Sequence, residues 1–281
     1  MNDLSVIILT KNEELNIRKC IESIRNVAKR IIVVDSFSSD ATEEIAKELE
    51  CDVFKHKFIN HADQFNWALS NCNIDTTWVM KLDADEYILP ELANEINSKL
   101  NGLDNNVNGI ILRRRVMFMG KWLKHGGKYP ELLLRIFRFG HGMSENKEMD
   151  EHLIIDDGLA VEFKNDFVDD NKKNITEWID KHNWYSDKEV KERKRLQTEN
   201  DSKNIDHTSG QAKIKRILKN YGYYSLPKFF RAHLYFIYRY YFRFGFLDGT
   251  EGRIYTFLQA YWYRYLVDAK MFEQEKRSIE K

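Results

Sequence analysis

The stretch "WVMKLDADEYILP", residues 78–90, runs from apolar to acidic within a few positions. Trp78, Val79, Met80 and Leu82 read as a core strand, and Asp83, Asp85 and Glu86 follow at once. Like charges this close repel, so they need a compensating charge or full hydration. A strand that ends in such a cluster fixes both the sheet and the place where chemistry collects. The same organisation recurs upstream. "LSVIIL" (4–9), "RIIVVD" (30–35) and "CDVFKH" (51–56) read as further strands. Between them, "NIRKCIESIRNV" (16–27) places Ile17, Ile21 and Ile24 at helical spacing. "DATEEIAKEL" (40–49) offers Asp40 as N-cap with Glu43 three residues on, a capping-box arrangement. "ADQFNWALSN" (62–71) and "LPELANEINSKL" (89–100), with Pro90 near its start, complete the alternation.

Strand–helix alternation of this kind predicts an α/β domain with a mainly parallel sheet. The strands are continuously apolar, as expected when both sheet faces are covered. Beyond residue 107 the pattern changes. "NGIILRRRVMFMG" and "ELLLRIFRFG" read as strands, and "HLIIDDGLAVEF" as a strand pair turning at Asp157-Gly158. A long helix is expected from Ile175 to about Leu196, a polar linker over 197–211, and an aromatic-rich helical extension over 212–281. The expected domain is therefore 1–196, with one half to about 106 and a second over 107–196.

Composition narrows the classes. The 281 residues carry 44 Lys+Arg and 44 Asp+Glu, a balance that gives no argument for nucleic acid. Cys20, Cys51 and Cys72 lack metal-ligand spacing, which points to a reducing, cytoplasmic compartment. "MNDLSVIILTKNEE" does not read as a signal peptide, and no apolar run reaches the roughly 18–20 residues of a spanning helix.

In an open parallel sheet, ligands bind beyond the carboxyl ends of the strands. Three such ends are polar here: Thr10 to Glu14, Asp35-Ser36 with "FSSD", and Asp83 to Glu86. Loops are often polar, and Asp and Ser often cap helices, yet three clusters on one edge form a constellation. Two carboxylates in Asp-Ala-Asp can share a hard divalent cation alongside phosphates. No glycine-rich dinucleotide fingerprint and no phosphate loop of the G-x-x-x-x-G-K type is present.

These motifs carry a resemblance. "VIILTKNEELNIRKCIESI", "IIVVDSFSSDATEEIA", "HADQFNWAL" and "WVMKLDADE" resemble the successive motifs of family-2 glycosyltransferases with the GT-A fold. "HGGKYPELLLRIFR", "DKHNWYS" and "FGFLDGTEG" are similar to the branch holding lipopolysaccharide-core β-1,4-glucosyltransferases. The resemblance implies a UDP-sugar donor, a Mg2+ or Mn2+ cofactor and a lipid-linked or lipopolysaccharide-type saccharide acceptor. It implies that Thr10, Asn12, Glu13, Asp35 and Ser36 line the nucleoside pocket, with Gln64 and Asn66 on the flanking helix. Phe65 stands where relatives often have an arginine that meets the diphosphate. Asp83 and Ala84 would approach the ribose or metal, and Asp85 would be the principal metal ligand. "MDEHL" (149–153) aligns with the segment that supplies the general base, which leaves Glu151 or Asp150 for that role. His125, Lys128 and Arg135 are expected to contact acceptor or phosphate. Glu86 either supports the turn or caps the helix near Pro90.

From Lys213 to Arg243 every formal charge is positive, and aromatics fill the spaces. That pattern over 212–245 suits an anionic membrane surface, here the inner face of the cytoplasmic membrane. The competing reading packs these aromatics against the protein. A nucleotide-sugar-binding module without catalysis, or a transferase acting on a lipid carrier or protein, are the functional alternatives.

Overall fold

The computed structural model describes residues 2–145, 152–198 and 222–279. The chain divides into two compact units: 1–122 with 128–172, and 123–127 with 173–281.

The first unit is built on strands β1 (Leu4–Thr10), β2 (Arg30–Asp35), β3 (Asp52–Lys55), β4 (Trp78–Asp83), β5 (Glu86–Ile88), β6 (Val107–Phe118), β7 (Lys121–Leu123), β8 (Glu131–Arg138) and β11 (Leu159–Asp169). Their order is β3-β2-β1-β4-β8-β6-β11-β5, with β7 beside β6. β3, β2, β1 and β4 run parallel, β8 enters antiparallel, and β6 and β11 are parallel to each other. Two antiparallel steps, β4 to β8 and β8 to β6, return β6 and β11 to the direction of β4. The carboxyl end of β11 therefore lies on the same edge as that of β4.

The apolar runs form two layers because β1, β2 and β4 bury both faces. On one face Val6, Ile8, Val33, Met80 and Leu82 pack with α1 (Ile17–Ile24) and α4 (Pro90–Lys99). On the other, Ile7, Leu9, Ile32, Val34, Val79 and Phe137 pack with Phe65 and Ala68 of α3 (His61–Asn71). Pro90 opens α4 as expected. The capping box does not form at α2 (Thr42–Glu48): Ala41 is the cap, Asp40 accepts the Thr42 N–H, and Glu43 pairs with Lys47 and Lys55.

The strand pair expected across Asp157-Gly158 is also different. β10 (Leu153–Ile155) pairs with β9 (Gly142–Ser144), while β11 crosses to the main sheet. Gly158 has φ +75, and a Cβ there would lie 2.6 Å from the Asn108 amide, so the turn presses on β6 rather than closing a hairpin.

The second unit is helical. It holds α5 (Ile175–Thr198), α6 (Phe230–Ile237), α7 (Gly249–Thr256) and α8 (Tyr263–Ile279), with π-helical turns at Tyr238–Phe242 and Phe257–Trp262. α5 was expected to close the catalytic domain at 196. Instead Val190 packs with Tyr263, Val267 and Met271 of α8, so α5 groups with the C-terminal helices. Glu189 of α5 strengthens that join by accepting from Tyr224, Tyr263 and Arg264 at 2.6, 2.7 and 2.9 Å. No helix among the described residues is long and apolar enough to cross a membrane.

Candidate functional site

Register sets the site. Parallel pairing places Thr10 opposite Asp35 and Leu9 opposite Asp83, so the ends of β2, β1 and β4 stand in one row. The Thr10 hydroxyl is buried with no hydrogen-bond partner among the described residues. Asp35 is fully buried; its carboxylate accepts the Ser38 N–H at 2.9 Å and the Ser38 hydroxyl. The loops after β1 and β2 are tied together. Asn12, at φ +53, accepts the Ser39 N–H at 2.8 Å and donates its own N–H to the Ser38 hydroxyl at 2.8 Å. Asparagine tolerates this left-handed backbone better than most residues. The Glu13 N–H reaches the Thr42 hydroxyl at 2.8 Å. The Ser36 N–H reaches the Thr10 carbonyl at 3.0 Å.

Gln64 joins this group from α3, donating to the Ser36 hydroxyl at 2.6 Å and the Val34 carbonyl at 2.9 Å. Asn66 does not. It lies two residues, about 200°, further round the helix. Both ends of its amide are held by the Ser144 backbone at 2.9 Å. Phe65, the position where a basic contact was in question, is core: it is fully buried edge-to-face on Phe137 at 6.1 Å.

The turn Asp83-Ala84-Asp85 is braced from three sides. The Ala84 N–H reaches back to the Leu9 carbonyl at 3.3 Å. The Asp170 N–H binds the Asp85 carbonyl at 2.9 Å, and the Asn171 amide donates to Asp85 Oδ2 at 2.8 Å. Beneath the turn, Glu86 Oε2 accepts the Asp83 N–H at 3.0 Å, while Arg135 Nη2 donates to Oε1 at 2.5 Å. Glu86 is 2% exposed and Arg135 6%. Burial pushes the Glu86 carboxyl up to about 8, against the pull of the Arg135 guanidinium. Glu86 thus supports the turn and does not cap α4. Arg135, expected to touch acceptor or phosphate, holds Glu86 instead. Burial also pushes the Cys20 thiol, whose Sγ faces the Asp83 carbonyl at 3.6 Å, well above its usual range.

The donor set fits a hard cation. Asp83 and Asp85 are half-buried carboxylates two residues apart. No basic side chain among the described residues forms an ion pair with Asp85, and its Oδ1 has no partner there. Oxygen ligands of this kind, with phosphates completing the shell, suit Mg2+ or Mn2+. His141, Asp156 and Asp157 also approach within 4.8 Å of one another. They lie at the opposite edge, where the Phe139 N–H meets the Thr77 carbonyl at the start of β4. There Asp157 is already held by Asn108 and His141, both at 2.7 Å.

The remaining expected residues fall elsewhere. His125 belongs to the helical unit, where Asp248 gathers the 123–127 loop. The Asp248 carboxylate accepts the Lys124 and His125 N–H groups at 3.2 and 2.9 Å and meets His125 Nδ1 at 2.7 Å. The Gly126 N–H adds a bond to the Arg243 carbonyl at 2.8 Å. Gly126 and Gly127 have φ of +64 and +70, the conformation this tight loop requires. "HGGKYP" and "FGFLDG" are thus two halves of one clasp. Lys128 is half-buried on the first unit. Asp150 and Glu151 lie outside the described residues. Sequence reasoning missed Asp170 and Asn171. Their signal was present in "VDDNKKN", a polar run that directly follows the apolar end of β11.

Comparison with known proteins agrees with this arrangement. The model of "Glycosyl transferase family 2" matches residues 5–161. An uncharacterised glycosyltransferase of Rickettsia typhi is 41% identical over 96 residues, 34% of this chain and 32% of that protein. The chain thus spans about a third of the length of the Rickettsia relatives it matches. The lipopolysaccharide core biosynthesis glycosyltransferase LpsC of Rhizobium meliloti is 28% identical over 160 residues, 55% of this chain and 58% of that one. Among solved structures, a mannosyltransferase of Pyrobaculum calidifontis, in complex with GDP-Man and Mn2+, superposes with a TM-score of 0.52 at 15% identity. It covers 96% of this chain and 87% of its own, which establishes a common fold, the GT-A type. The match of the family model across the strands and turns just described places this chain in glycosyl transferase family 2.

Proposed function

We propose that the protein is an inverting, metal-dependent transferase that moves a hexose, such as glucose, from a UDP-sugar to a saccharide acceptor of the lipopolysaccharide or cell-surface glycan type. The observation that carries this is the row Asp35, Thr10, Asp83 at the ends of three adjacent parallel strands, with Asp85 on the braced turn beyond it. Asp35 and the buried Thr10 hydroxyl offer polar contacts to base and ribose. Asp83 and Asp85 would hold the cation. A divalent cation, when bound there, supplies neutralisation of charge developing on the leaving diphosphate. A carboxylate of the chain, Glu151 or Asp150, would accept the proton of the attacking hydroxyl. The bracing by Glu86, Asp170 and Asn171 keeps the turn in one geometry, which favours positioning over adaptation.

The acceptor class draws support from the helical unit. Phe230, Tyr238, Tyr241, Phe242, Phe244 and Leu247 are exposed there, Phe242 by 71%. Exposed rings beside the exposed Arg243, which donates to the Tyr238 hydroxyl at 3.4 Å, suit an interface of anionic head groups, as a lipid-linked acceptor would require. Arg231 drops out of that basic face, because it is buried against Asp268 at 2.9 Å. A panel of nucleotide sugars, including UDP-glucose, other UDP-hexoses and GDP-mannose, screened for Mn2+-dependent release of nucleotide, tests the reading. Release of UDP from one donor supports it. Binding of UDP without turnover of any donor would favour a nucleotide-sugar-binding module, and release only from GDP-mannose would move the donor to guanosine sugars.

A further inference from the structure

Lys81 lies in the interior of β4, and the site above gives it no task. It is 7% exposed. It has no hydrogen-bond or ion-pair partner among the described residues; its one neighbour of note is the Phe65 ring, whose centroid lies 5.5 Å from Nζ. The stem is buried, while the ammonium keeps access to water and meets no carboxylate among the described residues. An ammonium held in this way, with its donors unspent, is open to a charge-assisted hydrogen bond from an anion.

The strand fixes where that anion would sit. Side chains alternate along β4: Trp78, Met80 and Leu82 enter the layer with α1 and α4, and Val79 enters the layer with α3. Lys81 and Asp83 continue the Val79 face. They are separated by about 6.6 Å along the strand, within reach of a flexible four-carbon stem. Lys81 therefore stands on the α3 side just below the carboxyl edge, on the same face as Asp83. Phe65, being apolar, brings no charge to this face, so Lys81 supplies a positive charge where α3 does not.

We propose that Lys81 is an anion-binding residue that contacts a phosphate group of the bound nucleotide. The proposal rests on the nucleotide-sugar reading given above. It assigns to β4 two opposite functions on one face: a carboxylate for the cation and an ammonium for the phosphate.

Lys81→Met tests it, because methionine keeps the length and apolar stem of the side chain. Binding of UDP and of uridine to both proteins is measured with Mn2+ present, UDP by calorimetry and uridine by ligand-observed NMR. Losing a charge-assisted contact should weaken UDP about 10- to 100-fold, with uridine affinity unchanged. The melting temperature of the ligand-free variant should stay equal, since no hydrogen bond or ion pair is lost with the ammonium. Equal UDP affinity in the two proteins overturns the proposal. So does an equal loss for uridine, which would place the ammonium on base or ribose, and so does a lowered ligand-free melting temperature with UDP affinity retained. Wild-type protein that binds no UDP overturns the nucleotide reading itself, and this proposal with it.

Discussion

The pair beneath the acidic turn gives the most quantitative test. Arg135 and Glu86 meet at 2.5 Å, with side-chain exposures of 7% and 2%. Above about pH 8, where Glu86 is ionised, two unit charges about 4 Å apart attract by about 4 kcal/mol at an effective dielectric of 20. There, removing one partner of such a buried pair costs about 3–5 kcal/mol, because the other is left uncompensated. Arg135→Met should therefore lower the melting temperature at about pH 9 by about 6–20 °C for a unit of this size, and by less at about pH 7, where Glu86 keeps its proton. The double variant Arg135→Met/Glu86→Gln should regain much of the loss, so the two changes should be non-additive by about 2 kcal/mol or more. The pH dependence has a definite sign. The Glu86 carboxyl lies above its ordinary 4.5, at about 8. Between those values the folded state holds a proton that the unfolded state has lost, so stability falls as pH rises. The wild type should stop losing stability from this group near pH 8. Without the pull of Arg135 the carboxyl moves higher still, and the Arg135→Met variant should continue to lose stability above pH 8, by up to about 1.4 kcal/mol per pH unit. Urea unfolding of metal-free protein between pH 5 and 9.5 measures both effects. Additive single variants, or an Arg135→Met loss below about 1 kcal/mol at about pH 9, would refute the argument that this pair sustains the turn.

Three further outcomes are expected. UDP with Mn2+ should raise the melting temperature, and Asp85→Ala should abolish that rise; an undiminished shift in the variant removes Asp85 from the metal site. Glu151→Gln should bind UDP normally yet lose transfer at least 100-fold, and retained turnover would assign the proton to Asp150 or another group. Phe242→Ser with Phe244→Ser should weaken association with vesicles containing anionic lipid while leaving the UDP-induced thermal shift unchanged; unaltered sedimentation with vesicles would make these exposed rings something other than a lipid contact.

Much of the fold was legible because both faces of the central strands are covered. Continuous runs such as Val6 to Leu9 and Ile31 to Val34 leave little choice but a two-layer α/β sheet. The row of Thr10, Asp35 and Asp83 was legible for the same reason: parallel strands of similar length end on one edge, so the residues after each run meet. What was hidden depends on pairings between distant segments. Nothing in "HLIIDDGLAVEF" says that Leu153–Ile155 will pair with Gly142–Ser144 while the next strand travels to β6. Arg135 sits among leucines and phenylalanines, and its sequence context reads as a contact to acceptor or phosphate. Only the crossing of β8 between β4 and β6 brings it under Glu86. Glu43 has the spacing of a capping box, but two lysines within reach offer it stronger charge-assisted bonds than a backbone N–H does.

The clasp between Asp248 and the 123–127 loop bears on how this chain can be cut or recombined. A fragment ending at residue 172 would keep the whole sheet yet lose the carboxylate that receives Lys124 and His125. Those N–H groups and the imidazole would then be left to water, and the loop would have no reason to keep its shape. The C-terminal helices therefore cannot be exchanged as a module between relatives unless the loop travels with them. In a graft, "HGGK" and "FGFLDG" form one unit of inheritance, although more than a hundred residues of sequence separate them.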